Sequence, residues 1–152
     1  MRIVIQEAPF DFGAEADQFA ASRSDVGAVV TFTGVVRNLD GEDLTAMEIE
    51  HYPSMTERAL TRIAQEASDK WDLLDCLIIH RHGRLSAGER IMMVATAAAH
   101  RAAAFAAAEF LMDYLKSRAP FWKKEHASGA AKWVRAKDED EEALRRWQPK
   151  PD

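Results

Sequence analysis

Apolar residues recur along this chain with two periods, and the switches between them outline its elements. Leu60, Ile63, Ala64, Ala67 and Trp71 keep helical spacing, and Pro53 suits a first helical turn, so a helix is predicted from Pro53 onward. Phe105, Ala108, Met112 and Leu115 form a second stripe, with Leu111 and Tyr114 beside it. That stripe predicts a long helix over 102–116, ended by Pro120. A short helix fits 14–21, with Phe19 as its apolar anchor, and a charged one fits 138–147. The remaining apolar runs are β-branched or alternate. Residues 2–6 read as a short strand, and 26–37 as a long, mostly buried strand bounded by Gly27 and Gly34. Residues 44–50 fit a strand returning antiparallel after the Asp40-Gly41 reversal. Strands are also predicted at 73–82 and 90–96, with 83–88 as the turn between them. Residues 121–126 and 132–136 suit a hairpin around Ser128-Gly129, and 148–152 a frayed tail. Helices and strands mixed with hairpins give an α+β fold class.

Composition adds little to this picture. A chain of 152 residues, 47% hydrophobic and 30% charged, suits one domain spanning 1–152. Such a domain buries roughly 70% of its unfolded surface. Charge adds more. The net charge of −5 argues against general nucleic-acid binding. Residues 100–135 hold seven Lys/Arg against three acids, a local +4 that leaves −9 for the remainder. A basic island on an acidic protein suits a local anionic ligand better than a polyanion track. The single cysteine, Cys76, lies in an apolar run and reads as a buried small hydrophobe. No signal-peptide pattern appears, and no apolar run approaches the roughly 20 residues that span a bilayer. The expectation is a cytoplasmic protein with no membrane partner.

The richest chemistry follows the long helix. Lys116, Arg118, Lys123 and Lys124 surround Pro120, Phe121 and Trp122. Mutual repulsion lowers an amine's pKa and makes a neutral nucleophile or base available. The same cations also serve as a solvated basic face that favours the helix dipole. Two aromatics beside a proline are costly to expose, which argues for a packed segment with constrained lysines. His100 and Arg101 open the long helix, where free N–H groups and a guanidinium suit phosphate or carboxylate, or mark only a polar helix start. Arg37 closes a strand, either as a ligand contact or as a surface charge. His80 and His82 share a strand face, but no carboxylate or thiolate stands at ligand spacing, so no metal site is expected. No nucleotide-binding Gly-rich loop and no GxSxG elbow occurs, and no cofactor is expected. The acids of 138–142 read as solvated charges.

Taken in order, several segments carry a resemblance. They are Phe32-Thr33-Gly34-Val35-Val36-Arg37, His80-Arg81-His82-Gly83-Arg84-Leu85 with Gly88-Glu89, and His100-Arg101 with Phe105. The run from Met112 through Lys116, Arg118-Ala119-Pro120-Phe121-Trp122-Lys123-Lys124-Glu125, then Trp133-Val134 and Arg146-Trp147, completes them. With these the chain resembles the large, catalytic subunit of molybdopterin synthase over nearly its whole length.

The resemblance implies an α/β-hammerhead-type domain with an added small antiparallel β-subdomain. Residues 37–50 would belong to that subdomain or form a mobile loop. It implies a sulfurtransferase of molybdenum cofactor biosynthesis that converts cyclic pyranopterin monophosphate to molybdopterin. The sulfur would arrive as a thiocarboxylate on the C-terminal Gly-Gly of a small ubiquitin-like partner subunit. The assembly would be a homodimer of this chain with one partner at each end, a heterotetramer. By the family pattern, Lys116 positions the thiocarboxylate and Lys123 acts as general acid/base. Arg37, His100 and Arg101 bind the pterin phosphate, with His100 and Arg101 supplied across the dimer. Some family members carry Arg four residues after the Trp of the Trp-Val pair, reaching a neighbouring subunit's site. This chain has Lys137 there, with Arg135 two residues earlier as the substitute. The competing expectation is a non-catalytic module that docks a ubiquitin-like tail or binds a phosphorylated metabolite through the same cations.

Overall fold

The computed structural model describes residues 1–38, 44–127, 130–134 and 138–150, and across them two four-stranded sheets share one set of helices. The first sheet has the order β1-β4-β6-β2, formed by Arg2–Gln6, Asp75–Arg81, Arg90–Ala98 and Ala28–Val35. β1 runs parallel to β4, and β4–β6 and β6–β2 are antiparallel. The central strands are apolar on both faces because both are covered. Cys76, Ile78, Met92 and Val94 face helices α2 (Pro53–Trp71) and α3 (Arg101–Ser117), against Leu60, Ile63, Ala64, Phe110, Leu111 and Leu115. Leu77, Ile79, Met93 and Ala95 point the other way, towards Phe10, Phe12 and Phe19 around α1 (Phe12–Gln18). Asp11 caps α1, its side chain accepting from the Ala14 amide at 3.0 Å.

The second sheet has the order β5-β3-β7-β8, formed by Gly83–Leu85, Leu44–His51, Phe121–Ala127 and Ala130–Val134, and its pairings are antiparallel. It departs directly from the first sheet, since β4 passes into β5 through His82 and Gly83. Gly83 has φ +85°, a conformation that glycine adopts without strain. A last helix, α4 (Asp138–Arg145), packs on α3. Among the described residues no helix is long and apolar enough to cross a membrane.

Several expectations change. β3 does not return against β2; its partners are β5 and β7, in the other sheet. Residues 83–85 are a strand rather than part of a turn, because β3 offers them a partner. β2 is an edge strand, so Val29, Phe32 and Val35 stay exposed instead of buried. On α3 the inward stripe is Ala104, Ala107, Ala108, Leu111 and Leu115, and Phe105, one position off it, is 63% exposed. The reversal at Asp40-Gly41 lies outside the described residues. The hairpin around Ser128-Gly129 keeps its place, with Ala127 paired to Ala130 across those two positions, but its second strand is Ala130–Val134 rather than 132–136, of which 135 and 136 lie outside the described residues.

Candidate active site

The end of α3 and the start of β7 are tied into one corner. Arg118 and Ala119 amides both donate to the Tyr114 carbonyl, at 2.8 and 3.1 Å, which closes the helix before Pro120. The Thr56 hydroxyl of α2 donates to the Pro120 carbonyl at 3.3 Å. β7 then alternates, with Phe121 and Lys123 on the inner side and Trp122 exposed. Phe121 stacks on His80, with ring centroids 3.8 Å apart and planes 14° from parallel. The His80 Nδ1 lies 2.8 Å from the Arg81 carbonyl. A carbonyl only accepts, so the proton sits on Nδ1 and Nε2 is bare. Burial pushes the His80 pKa down to about 3, which keeps the ring neutral near pH 7.

Lys123 enters a cleft of about 70 Å³ beside His80. Lys116, from the last turn of α3, lines the same cleft. Its other walls are apolar: Phe32 and Val35 of β2, Ile91 and Met92 of β6, Met112 and Leu115 of α3. Burial, reinforced by the like charge of Lys116, lowers the Lys123 pKa to about 8, with Asp140 opposing. Roughly one in ten of its amines is therefore neutral at pH 7. An apolar cleft with two amines, one poised near neutrality, has the chemistry to hold an anionic group and to exchange a proton with it.

The other expected site residues are placed less simply. Arg37 lies two residues beyond Val35, at the rim of the cleft strand, and is exposed. His100 is the N-cap of α3 and Arg101 its first residue. Fifteen residues of helix, about 22 Å of rise, separate Arg101 from Lys116. One copy of the chain does not bring the two ends together. Arg135 and Lys137 lie outside the described residues. One wall of the cleft escaped the sequence pattern: His80 read as a weak metal candidate, yet it lines the lysine cleft. Among the described residues no group of three or more His, Cys, Asp and Glu is placed to hold a metal ion. Cys76 is buried in the core, and burial pushes its thiol up to about 12.

A protein-family model described as MoaE protein matches residues 5–118. The molybdopterin synthase catalytic subunit of Cereibacter sphaeroides is 67% identical over 147 residues, covering 97% of this chain and 100% of that protein. Among solved structures, the molybdopterin biosynthesis MoaE protein from Burkholderia ambifaria superimposes with a TM-score of 0.81 at 50% identity, covering 95% of this chain and 96% of that one. The complex of subunits 1 and 2 of the molybdopterin-converting factor from Helicobacter pylori gives a TM-score of 0.74 at 19% identity, covering 88% and 90%. That last likeness is one of fold.

Proposed function

The chain belongs to the MoaE family, and we propose that it is the catalytic subunit of a molybdopterin synthase, adding dithiolene sulfur to cyclic pyranopterin monophosphate. The donor is the C-terminal thiocarboxylate of a small ubiquitin-like partner subunit. The observation that carries this reading is the convergence of Lys116 and Lys123 on one apolar cleft, with Lys123 held near a pKa of about 8.

The thiocarboxylate sulfur attacks a side-chain carbon of the pterin and a carbon–oxygen bond at that carbon breaks, the departing oxygen taking up a proton, which leaves the partner's acyl carbon attached through sulfur. Water then attacks that acyl carbon. The carbon–sulfur bond to the tail breaks, the sulfur stays on the pterin, and the tail leaves as an ordinary carboxylate. Lys116 pairs with the anionic tail and polarises its carbonyl. Lys123 gives and takes the proton and balances charge as the acyl group leaves. Because the partner brings the sulfur, the buried thiol of Cys76 has no part in the transfer. The second sulfur requires a second charged tail.

Arg37, His100 and Arg101 hold the substrate phosphate, and the length of α3 supports a second copy as the source of His100 and Arg101. Lys137, with Arg135, serves the neighbouring copy's site. The proposal takes 1–152 as one catalytic domain working in the cytoplasm, with β3 as the part of 37–50 that joins the β-subdomain. Support for a two-subunit enzyme comes from the Cereibacter relative, which is a catalytic subunit by name.

The test is to isolate the chain with a small protein ending in Gly-Gly and to assay Lys116→Arg and Lys123→Arg. Both variants keep the charge. Acid/base use of Lys123 requires turnover to collapse in Lys123→Arg. A module that only docks a tail keeps its binding in both, and the same binding with no turnover in the unmodified protein would overturn the proposal.

A further inference from the structure

A cavity of about 280 Å³ opens on the outer face of the second sheet, lined by Glu50, His51, Tyr52, Trp122 and Trp133. Strand alternation builds it. Glu50 of β3 pairs with Trp122 of β7, and Lys124 of β7 pairs with Trp133 of β8, so these four residues share one face. Phe121 and Lys123 point the other way, which puts this cavity and the lysine cleft on opposite faces of β7. Tyr52, the N-cap of α2, meets Trp122 edge-on with ring centroids 5.1 Å apart. Tyr52, Trp122 and Trp133 are 63, 43 and 52% exposed. Three large aromatics left open around one concavity mark a binding surface rather than a core.

The charges nearby select the sign of the ligand. Glu48, on the same face, is taken by Arg84 at 3.9 Å and by His126 at 3.6 Å. Among the described residues Glu50 makes no hydrogen bond or ion pair. Burial, with His82 only 4.5 Å away between ring centroids, holds the His51 pKa below its ordinary value, so this ring adds no positive charge at neutral pH. Lys124 lays its ammonium over the Trp133 ring at 5.2 Å, so this ring already takes a cation, although Lys124 does not line the cavity. The chain's other aromatic cluster, Trp71, Phe110 and Trp147, is filled by its own Lys70, at 4.8, 5.6 and 5.4 Å. The described lining of the cavity offers three π faces and a carboxylate, and no Lys or Arg.

We propose that this cavity binds a small organic cation of the quaternary-ammonium class, with Tyr52, Trp122 and Trp133 facing its methyl-covered charge and Glu50 as the counter-ion. A metal ion or a primary ammonium gives up strongly held water and needs several acceptors in exchange, and the cavity supplies one carboxylate. A quaternary head holds water weakly and donates no hydrogen bond, so aromatic faces and one nearby negative charge satisfy it. The site works by binding alone and stands independently of the sulfur-transfer reading, since Lys116 and Lys123 lie in the other cleft.

The experiment titrates the full-length protein with choline and with tetramethylammonium at constant ionic strength. Binding is read from the N-methyl proton resonance of the probe, which the ring currents of the aromatic walls displace. The uncharged isostere of choline, with carbon in place of nitrogen, is titrated in parallel. Half-saturation by choline is expected at about 10 mM or tighter, the scale of a few cation–π contacts. The isostere, Glu50→Gln and Trp133→Leu are each expected to weaken binding by about fivefold or more. Phe105→Leu, which removes an equally exposed ring from α3, leaves the midpoint unchanged. No saturation by about 100 mM choline, equal affinity for the isostere, or a midpoint unmoved in both Glu50→Gln and Trp133→Leu overturns the proposal. The isostere comparison uses the unmodified protein, so a folding defect in a variant leaves the proposal open to refutation.

Discussion

The imidazole of His80 lies flat on the ring of Phe121, 3.8 Å between centroids. This contact joins β4 of the first sheet to β7 of the second, and it fixes the strand from which Lys123 projects two residues later. The buried, neutral ring of His80 offers an apolar face without adding a third positive charge to the lysine cleft.

Phe121→Ala removes that stack and leaves a void under the corner. A stability loss of about 2–3 kcal/mol is expected, lowering the melting temperature by about 4–12 °C for a chain of this length. Phe121→Leu costs less. Thermal unfolding of the two variants checks this, and an unchanged melting temperature in Phe121→Ala would show that the stack does not hold the corner.

Lys123 stabilises function at the expense of the fold. Its folded pKa of about 8 lies below the ordinary 10.5, so between those values the unfolded chain binds more protons than the folded one. Stability attributable to this residue therefore rises as pH climbs from about 8 to 10.5, and the penalty of burying the charged amine is fully present below about 8. Lys123→Met is expected to be more stable at pH 7, on the order of 1–2 kcal/mol, with the gain shrinking towards pH 10. Paired denaturant titrations at the two pH values read the difference. A variant that is less stable at pH 7 contradicts the burial argument.

Cys76 is 1% exposed, and its thiol is pushed up to about 12. Cys76→Ala should leave sulfur transfer within about twofold and cost about 1 kcal/mol for the lost sulfur atom. A collapse of turnover with the fold intact would place the thiol in the reaction and remove the reason for a sulfur-carrying partner.

Gly27 meets the first sheet at close range. A Cβ there would stand 2.1 Å from the Ala99 carbonyl oxygen, a clash with backbone that only strand movement relieves. Gly27→Ala is expected to destabilise by about 2 kcal/mol or more, through the start of the β2–β6 pairing. Chemical denaturation decides it, and a variant as stable as the parent would mean that β2 begins with more freedom than its pairing indicates.

The elements that were legible in the sequence are those whose signal is local. α2 follows from Pro53 and an unbroken stripe of Leu60, Ile63, Ala64 and Ala67. The β7–β8 hairpin follows from two short segments set on either side of Ser128-Gly129. The lysine pair was legible because Lys116 and Lys123 flank one continuous corner. Strand partnership was not. Nothing within 44–50 says that β3 pairs with β7, more than 70 residues later, rather than with β2 just before it. The cleft walls were hidden for the same reason, since Phe32, Met92 and Met112 come from three separate elements. Phe105 misled because its spacing fits a stripe while the inward face of α3 is built from alanines one position away.

The central claim is that the amine of Lys123 works on a sulfur-bearing tail delivered by another protein. Its most direct test is single-turnover conversion of cyclic pyranopterin monophosphate by the purified chain and a small partner carrying a C-terminal thiocarboxylate. Wild type is compared with Lys123→Ala, and partner binding is measured on the same samples. The account predicts that Lys123→Ala binds the partner yet converts substrate at least about 100-fold more slowly, the scale of a lost general acid/base. Conversion at the wild-type rate by Lys123→Ala would contradict it.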